Sequence, residues 1–577
     1  MNSARQLEPV SVRDLLWLAL ALVTIVAAGY GMRDPWPADE PRFAGLARDM
    51  VVTGDWLFPR VGGDLYQDKP PLFFWLLALS YSLIGSVRYS FLLPSLLAAA
   101  GTLYLIYDLG RRLVDRRTGF IAALVTLSTL QFVVVMRGAQ IDGVLCFLTT
   151  FSVYALLRHL LLGPAWGWYF LGGAAAGLGI ITKGVGFLPI LLLVPFALMS
   201  RGRWQGLAPI ERGGVRWWLA PLGLLLGVSV WLLPMLLGVV ARAAPEYAAY
   251  RDEILLQQTV TRYAKSWHHL RPWYYFLLEV IPTLWLPASA MLFWLVPRWR
   301  RAWQQRDARV WLPLAWVILV VTFFSISPGK RGVYLLPALP VLVIAAMPYL
   351  SELLVRRGVQ RVLIGLGGLV WLVGLSLLLG YSFGHARIVE LFAAAQIDSV
   401  WPVTVFVVLA GSALALAVWR MPVMSWTMVL ASLALCWSYG LAPMLDSQRS
   451  SRGFIESMLT QVPAGHTLGL VAYKEQFLLY IDEPSINFGH RRWLEGPQEA
   501  YDAAAWLEAA PDRILLVPEG SLEPCFAAAR TRILAGNSSE DDWYLVGAPA
   551  NAQCVAQGDA GRAIRYVHPV DGAITRR

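Results

Sequence analysis

Long apolar runs alternate with short polar segments along the first 443 residues of the chain. A helix needs about 20 apolar residues to cross the hydrocarbon core of a bilayer, so each run predicts a membrane-spanning helix or most of one. The runs are Leu15–Gly31, Thr118–Met136, Gly143–Leu161, Trp168–Thr182, Val185–Met199, Trp217–Val240, Phe276–Val296, Val310–Ile326, Val333–Leu350, Val362–Phe383, Trp401–Trp419 and Val423–Leu441. With one net crossing and a surface helix between Pro71 and Leu109, the pattern predicts about 13 spans.

Arginine clusters between these runs predict the orientation of the chain. Basic residues accumulate on the cytoplasmic side of membrane proteins. The clusters are Arg111–Arg112 with Arg116–Arg117, Arg201 with Arg203, Arg298 with Arg300–Arg301, and Arg356–Arg357 with Arg361. This rule places the N-terminus inside and the C-terminus outside. The predicted outer loops then hold residues 32–70, Asp142, Lys183, His268–His269, Lys330 and His385.

The composition changes after Pro443. Residues 444–577 are mixed and polar, and strand-like runs at 467–472, 513–517 and 543–546 are separated by helix-like segments such as 500–509. We therefore predict two domains, a membrane domain over 1–443 and a small outer α/β domain over 444–577. Cys525 and Cys554 lie in the second domain, where a disulfide would suit an oxidising compartment and free core thiols are the alternative.

The overall composition supports a polytopic membrane protein. The 577 residues are 57% hydrophobic and only 15% charged, and mean hydropathy is +0.54, beyond the range of soluble globular domains. The net charge of +10 comes from clusters between apolar runs, so it reports topology and not nucleic-acid binding. We find no Walker A loop, Gly-rich dinucleotide loop or Gly-x-Ser-x-Gly elbow, so no nucleotide cofactor is predicted.

Ionisable residues in the first predicted outer loop are the main candidates for chemistry. Asp39 and Glu40 begin a segment with helical apolar spacing at Phe43, Leu46, Ala47 and Met50, which predicts an amphipathic helix at the membrane interface with Arg48 and Asp49 on its other faces. The acidic pair could instead cap that helix.

The other candidates carry similar alternatives. Lys69 precedes Pro70–Pro71, where the chain re-enters the membrane, and could bind a phosphate or simply meet lipid headgroups. Lys183 and the segment Lys330, Arg331 and Tyr334 pose the same choice. Asp142 could act in catalysis, cap the next span or pair with nearby Arg137.

A pair of histidines raises the question of a metal. His268 and His269 lie in a loop rich in aromatic and basic residues, and with Asp68 they could bind a divalent ion such as Zn²⁺. Adjacent residues of a regular helix point about 100° apart, so both histidines reach one ion only from irregular backbone. An interfacial or phosphate-binding pair is the alternative.

The order of these motifs resembles one known family. Asp-Glu-x-Arg-Phe-Ala, Asp-Lys-Pro-Pro, the lone Asp142, Lys-Arg-Gly-Val-Tyr and a C-terminal soluble segment follow in turn. This order resembles the membrane glycosyltransferases of GT-C fold. It is most similar to the group that transfers 4-amino-4-deoxy-L-arabinose to lipid A, and more distantly similar to the protein O-mannosyltransferases.

The resemblance implies a polytopic α-helical fold of GT-C type with an outer active site. It implies that Asp39, with Glu40 beside it, and Asp142 are the catalytic carboxylates. Donor-phosphate contacts would come from Lys69, Arg262, Lys330, Arg331 and Tyr334, and a metal site from Asp68, His268 and His269. Family members commonly carry an acidic residue before the lysine, and here it is aspartate.

The resemblance also implies a reaction. An aminopentose would pass from undecaprenyl phosphate to lipid A on the periplasmic face of a bacterial inner membrane, lowering the negative charge of the envelope and favouring polymyxin resistance. Alternatives are another polyprenyl-linked sugar, such as a hexose or hexosamine, or another acceptor, either a glycolipid or a protein hydroxyl. A polysaccharide ligase would share the donor, and a transporter would concentrate its charges near the bilayer midplane.

Overall fold

The computed structural model describes residues 8–210, 214–255, 270–481, 483–490, 492–527, 529–538 and 541–567. The chain divides into two compact units. The first comprises Met1–Met32, Asp68–Phe73 and Leu92–Ala442, and the second comprises Arg33–Gln67, Phe74–Phe91 and Pro443–Arg577. The second unit therefore combines the C-terminal segment with most of the first predicted outer loop, an association that the local sequence pattern does not indicate.

The first unit is helical. Its α-helices are Val12–Leu22, Leu93–Leu113, Arg116–Leu127, Leu130–Met136, Ile141–Leu162, Trp166–Lys183, Leu193–Arg201, Leu219–Arg242, Pro245–Asp252, Ile281–Leu284, Leu292–Gln304, Ala308–Ile326, Ala338–Leu354, Arg357–Ser382, Ala386–Ala394, Trp401–Arg420 and Ser425–Cys436. Short 3₁₀ segments are Val185–Leu192, Val215–Trp218, Ser289–Met291, Gly332–Leu335 and Pro422–Met424, and π-helical turns are Val23–Ala27, Phe276–Val280 and Trp437–Leu441. The helix Ala442–Arg449 leads into the second unit.

Helix length and composition identify fewer spans than the predicted 13. Within the described ranges, seven helices are long and apolar enough to cross a membrane, or up to nine if each bent helix pair is one span. Leu72–Ile84, Val185–Arg201 and Ala338–Leu354 are apolar but shorter. The count of 13 therefore stays a prediction.

Two predicted single spans are broken. The run 118–136 bends by 67° between Leu127 and Leu130, and the run 276–296 bends by 106° between Leu284 and Ser289. At the first break the Thr129 hydroxyl donates to the Val125 carbonyl oxygen at 2.8 Å, and Trp426 Nε1 donates to the Ser128 carbonyl oxygen at 2.7 Å. The Ser128 carbonyl is thus taken by a side chain from another helix, and such an insertion interrupts the helix ladder.

Glycines bring two helices of the first unit into backbone contact. Gly173 and Gly177 of Trp166–Lys183 face Gly223 and Gly227 of Leu219–Arg242. A Cβ atom at each would lie between 2.0 and 2.4 Å from a backbone oxygen of the other helix. Small residues four apart allow such approach between membrane helices, where close packing replaces the hydrophobic effect.

The variant Gly173→Val is therefore expected to lower the free energy of unfolding by about 1–3 kcal/mol or more, because the added Cβ would lie 2.0 Å from the Ala220 carbonyl oxygen. The thermal midpoint of the full chain in detergent measures this. Gly167→Val on the same helix is the control, since nothing lies within 4 Å of its Cβ position. Equal midpoints for the two variants would contradict the packing argument.

The second unit contains a mixed sheet. A short antiparallel pair, β1 (Arg60–Val61) and β2 (Asp64–Leu65), precedes it. The sheet strands are β3 (Thr467–Leu470), β4 (Ser485–Asn487), β5 (Arg513–Pro518), β6 (Arg532–Ser538), β7 (Asp541–Val546) and β8 (Ile564–Tyr566). Their order is β6-β7-β5-β3-β4-β8, with β3 parallel to β4 and β5 and the other pairs antiparallel.

The second unit also contains helices. They are Glu40–Thr53, Leu72–Ile84 (which begins in the first unit), Val87–Ser90, Arg452–Leu459, Gln498–Glu508 and Ala552–Gln557, with 3₁₀ turns at Phe477–Leu479, Arg492–Glu495, Glu519–Ser521 and Ala560–Arg562. The strands predicted near 467, 513 and 543 and the helix near 500 are present.

Both faces of the sheet are covered. Along β5, Ile514 and Leu516 join a core with Trp543, whereas Leu515 and Val517 join a second core with Trp506. This alternation is the two-residue period of a strand with apolar layers on both sides. The second core contains Cys525 and Cys554, which form a disulfide with Cα atoms 5.6 Å apart. The disulfide alternative is thus confirmed.

Candidate active site

Asp39 lies at the N-terminus of the helix Glu40–Thr53 with an available carboxylate. Its backbone carbonyl oxygen accepts from the Phe43 N–H at 3.0 Å, but its side chain makes no capping hydrogen bond. The side chain is half-buried. Within the described ranges its carboxylate accepts no hydrogen bond, so the capping interpretation is wrong for Asp39 and the carboxylate is free to meet a ligand.

Glu40 is held by its surroundings. Its two carboxylate oxygens lie 2.5 and 2.8 Å from the Arg33 guanidinium, and the Trp36 backbone N–H donates to it at 2.9 Å. The residue is 6% exposed. These contacts occupy the Glu40 carboxylate and fix the turn that precedes the helix.

The helix that follows packs inside the second unit. Phe43, Leu46, Ala47 and Met50 are buried as the spacing predicts. The expectation that the other faces of this helix meet the membrane interface is wrong for Arg48, because Arg48 is 1% exposed and donates to the Leu478 and Leu479 carbonyl oxygens. A buried guanidinium needs such acceptors, and they come from a segment more than 400 residues away along the chain.

Sequence reasoning missed the residues that hold Arg42 next to Asp39. Arg42 Nε lies 3.0 Å from Glu475 Oε1. Burial alone would lower the pKa of Arg42, but Tyr66, Glu475 and Asp39 together hold it above its ordinary value. His490 Nε2 lies 3.8 Å from the same Glu475 oxygen. No spacing or motif marks Glu475, since it becomes adjacent only through the fold.

Asp142 forms an ion pair in the first unit. Lys183 Nζ lies 2.6 Å from Asp142 Oδ1 and 4.8 Å from the centre of the Tyr334 ring. The three side chains line one cavity together with Thr149, Leu145, Val185, Leu188, Trp316, Val320, Phe324 and Pro337. The expected partner Arg137 instead donates to the Ile25 carbonyl oxygen at 2.7 Å and to Ser438 Oγ. The structure thus brings Asp142 together with Lys183 and Tyr334, two of the residues predicted as candidates for phosphate binding.

Two further predicted cations differ in their surroundings. Lys330 is 4% exposed, and its ammonium donates to the carbonyl oxygens of Arg271 and Ser327. Burial lowers its pKa. Arg331 is exposed. Because Lys330 joins two loop backbones, Arg331 is the cation that this segment presents outward.

Lys69 and Asp68 lie in the short segment Asp68–Phe73, which belongs to the first unit. Lys69 Nζ donates to the Asp68 carbonyl oxygen at 3.0 Å, and both side chains are half-buried. The other predicted phosphate contact, Arg262, and the predicted metal ligands His268 and His269 lie outside the described residues. Among the residues that are described, no group of three His, Cys, Asp or Glu side chains is arranged to hold a metal ion.

Solved structures share this architecture. ArnT from Cupriavidus metallidurans bound to undecaprenyl phosphate matches with a TM-score of 0.72 and 21% identity, covering 93% of this chain and 99% of that chain. The same enzyme in the apo state matches with a TM-score of 0.68. A family model described as dolichyl-phosphate-mannose-protein mannosyltransferase matches residues 68–232. The fold is therefore that of a GT-C glycosyltransferase, a multi-pass membrane protein.

Proteins related in sequence identify a family within this class. The undecaprenyl phosphate-alpha-4-amino-4-deoxy-L-arabinose arabinosyl transferase of Pseudomonas aeruginosa is 32% identical over 526 residues, 88% of this chain and 86% of the relative. A protein of the same name from Aeromonas hydrophila is 32% identical over 61% of this chain. The chain belongs to the family of undecaprenyl phosphate-aminoarabinose arabinosyl transferases.

Proposed function

We propose that this chain transfers 4-amino-4-deoxy-L-arabinose from undecaprenyl phosphate to lipid A. The observation that carries the proposal is the match to the Pseudomonas aeruginosa relative, which extends over 88% of the chain and so includes both units. We place the reaction at the periplasmic face of a bacterial inner membrane, because the arginine clusters between the apolar runs predict that Asp39, Lys69 and Asp142 lie on the outer side.

The proposed reaction exchanges one glycosyl bond for another. A phosphate oxygen of the acceptor attacks the anomeric carbon of the sugar, while the bond from that carbon to the donor phosphate breaks. Undecaprenyl phosphate leaves with the bonding electrons. Fixed cations stabilise the charge that develops on this leaving group. We assign that role to Lys69 and Arg331, with Arg262 and Tyr334 as further donors.

The acceptor determines what the carboxylates do. A lipid A phosphate is already anionic, so the attack needs no general base. We assign Asp39 to orienting the sugar through its protonated amino group, a charge-assisted contact that its available carboxylate suits. Asp142, paired with Lys183 at 2.6 Å, lines the cavity that also contains Tyr334, and we assign this cavity to the donor.

A divalent metal remains a proposal for Asp68, His268 and His269. Of these three residues only Asp68 lies in the described part of the chain. Asp68 alone does not make a metal site, so the steps above rest on side chains of the chain itself.

The direct test is mass spectrometry of lipid A from cells that make the donor but lack their own aminoarabinose transferase. Cells expressing this chain are expected to show lipid A with an added aminopentose, and cells with the empty vector are expected to show none. Purified chain supplied with a hexose or hexosamine donor tests the alternative sugars. Absence of the aminopentose with folded protein and donor present would overturn the assignment.

A further inference from the structure

Three arginines and one buried carboxylate form a network in the first unit. Asp108 is 2% exposed and accepts hydrogen bonds from Arg111 and, at 2.5 Å, from Arg112 Nε. The Tyr154 hydroxyl also donates to Asp108 at 2.5 Å, and it accepts from Arg158 Nη1 at 3.2 Å. These five residues, which we call the Asp108 network, therefore hold three positive charges against one negative charge.

Other carboxylates near the Asp108 network have partners of their own. Asp14 Oδ2 lies 3.2 Å from Arg116 Nε, and the Asp115 side chain accepts from the Thr118 N–H at 2.7 Å. Within the described part of the chain, Asp108 is the one carboxylate that forms an ion pair with an arginine of the network. The excess positive charge is partly buried and therefore poorly screened, so an added anion would stabilise it.

Arg158 and Arg112 have donors that the network does not use. A guanidinium group carries five N–H donors. Among the described residues, Arg158 donates to Tyr154 alone, and its guanidinium carbon lies 4.4 Å from the centre of the half-buried Trp168 ring. The Arg112 side chain is 21% exposed and also interacts with the Tyr154 hydroxyl. The two guanidinium groups therefore adjoin the same hydroxyl, and both can be reached from outside.

The Asp108 network lies at the predicted cytoplasmic level of the membrane. Arg112 lies in the last turn of the candidate span Val87–Leu113, and Arg158 lies near the end of the candidate span Ile141–Leu162. The arginine clusters between the apolar runs predict that both of these ends are cytoplasmic. Basic pockets between membrane helices on that side are typical sites for the headgroups of anionic lipids.

A strip of aromatic rings leads from Arg158 into the membrane. The Phe151 ring centre lies 6.1 Å from that of Trp168 and 6.2 Å from that of Phe147, and all three side chains are half-buried. Phe147 and Arg158 belong to the same helix, along which they are about 16 Å apart. This distance is about half the thickness of the hydrocarbon core, so the strip has the length of one leaflet.

We propose that Arg158 and Arg112 bind the phosphate of an anionic phospholipid from the cytoplasmic leaflet. One acyl chain of this lipid lies along the strip of Trp168, Phe151 and Phe147. Guanidinium groups bind phosphate oxygens through paired, charge-assisted hydrogen bonds, and the phosphate supplies negative charge that the Asp108 network lacks. The site lies on the side of the membrane opposite to the proposed reaction, so the inference does not rest on the proposed function.

The test is native mass spectrometry of the full chain in detergent with added phosphatidylglycerol. The wild-type Kd for phosphatidylglycerol is expected to be about tenfold lower than the Kd for phosphatidylcholine, whose headgroup has no net charge. Arg158→Gln is expected to raise the Kd for phosphatidylglycerol about tenfold, because it removes a charge-assisted contact. Arg158→Lys, which keeps the charge and loses the paired hydrogen bonds, is expected to raise it less.

Arg300→Gln is the matched control, because Arg300 is an exposed arginine of another predicted cytoplasmic cluster and its loss changes the net charge equally. Its Kd should equal the wild-type value, and a rise as large as that of Arg158→Gln would indicate diffuse surface charge and overturn the site. An unchanged Kd in Arg158→Gln also overturns it. Equal wild-type affinities for the two phospholipids overturn the anionic headgroup, whether or not the variants fold. Displacement of phosphatidylglycerol by inorganic phosphate at equal concentration would indicate a free-anion site and overturn the lipid assignment.

Discussion

Asp39→Asn is expected to lower the rate of aminoarabinose transfer by about 10²–10³-fold, the range seen when one preorganised electrostatic contact is removed from an active site. Asparagine keeps the size of the side chain and loses the charge that would orient the amino group of the sugar. Initial rates of the purified full chain with donor and lipid A measure the effect.

Folding is expected to be unaffected by this change, because the Asp39 side chain makes no capping hydrogen bond. Thermal midpoints of the variant and the wild type should agree. Glu519→Gln, which removes an exposed carboxylate of the same unit, should retain the wild-type rate. A near-normal rate for Asp39→Asn would show that this carboxylate does not act in the reaction.

Arg48→Met is expected to lower the free energy of unfolding of the second unit by about 3–5 kcal/mol, the cost of breaking a buried ionic cluster on one side. Arg48 Nη2 donates to the Leu478 carbonyl oxygen at 2.8 Å and to the Tyr566 hydroxyl at 3.1 Å. The Tyr566 hydroxyl donates in turn to Asp49 at 2.8 Å. Without the guanidinium, the Leu478 and Leu479 carbonyl oxygens lose a hydrogen-bond donor and the Asp49 carboxylate loses its counter-charge.

Denaturant unfolding of the full chain, with proteolysis at sites in the second unit as the readout, measures this loss. Burial already raises the pKa of Asp49. Removing that charge as well, in Arg48→Met with Asp49→Asn, should therefore recover part of the stability. If the free energy of unfolding of Arg48→Met lies within about 0.5 kcal/mol of the wild-type value, the range typical of surface substitutions, the buried ionic cluster does not stabilise the second unit.

Local features of this chain were predictable from sequence because they depend on neighbouring residues. The apolar runs predict most helices of the first unit, since hydrophobicity over about 20 residues decides membrane insertion. The helix after Asp39 follows from the spacing of its apolar residues. The strands near 467 and 513 follow from short runs of β-branched and aliphatic residues between polar segments.

Contacts between distant parts of the chain were not predictable in this way. The Asp142–Lys183 ion pair joins two helices, and the expected partner Arg137 was merely the nearest cation along the sequence. Glu475 reaches Arg42 only because the C-terminal segment and the first loop form one unit. Hydropathy also cannot show where a side chain of another helix interrupts a helix, as Trp426 does at Ser128.

The glycine contact between Trp166–Lys183 and Leu219–Arg242 has a consequence for biogenesis. The first of these helices is 18 residues long, contains several glycines and ends at Lys183, and it is not among the candidate spans. Such a segment gains little by entering lipid alone. Leu219–Arg242 is strongly apolar and follows it during synthesis. The earlier segment would therefore become stably inserted only when its later partner arrives, so that the feature that allows close packing also delays membrane entry.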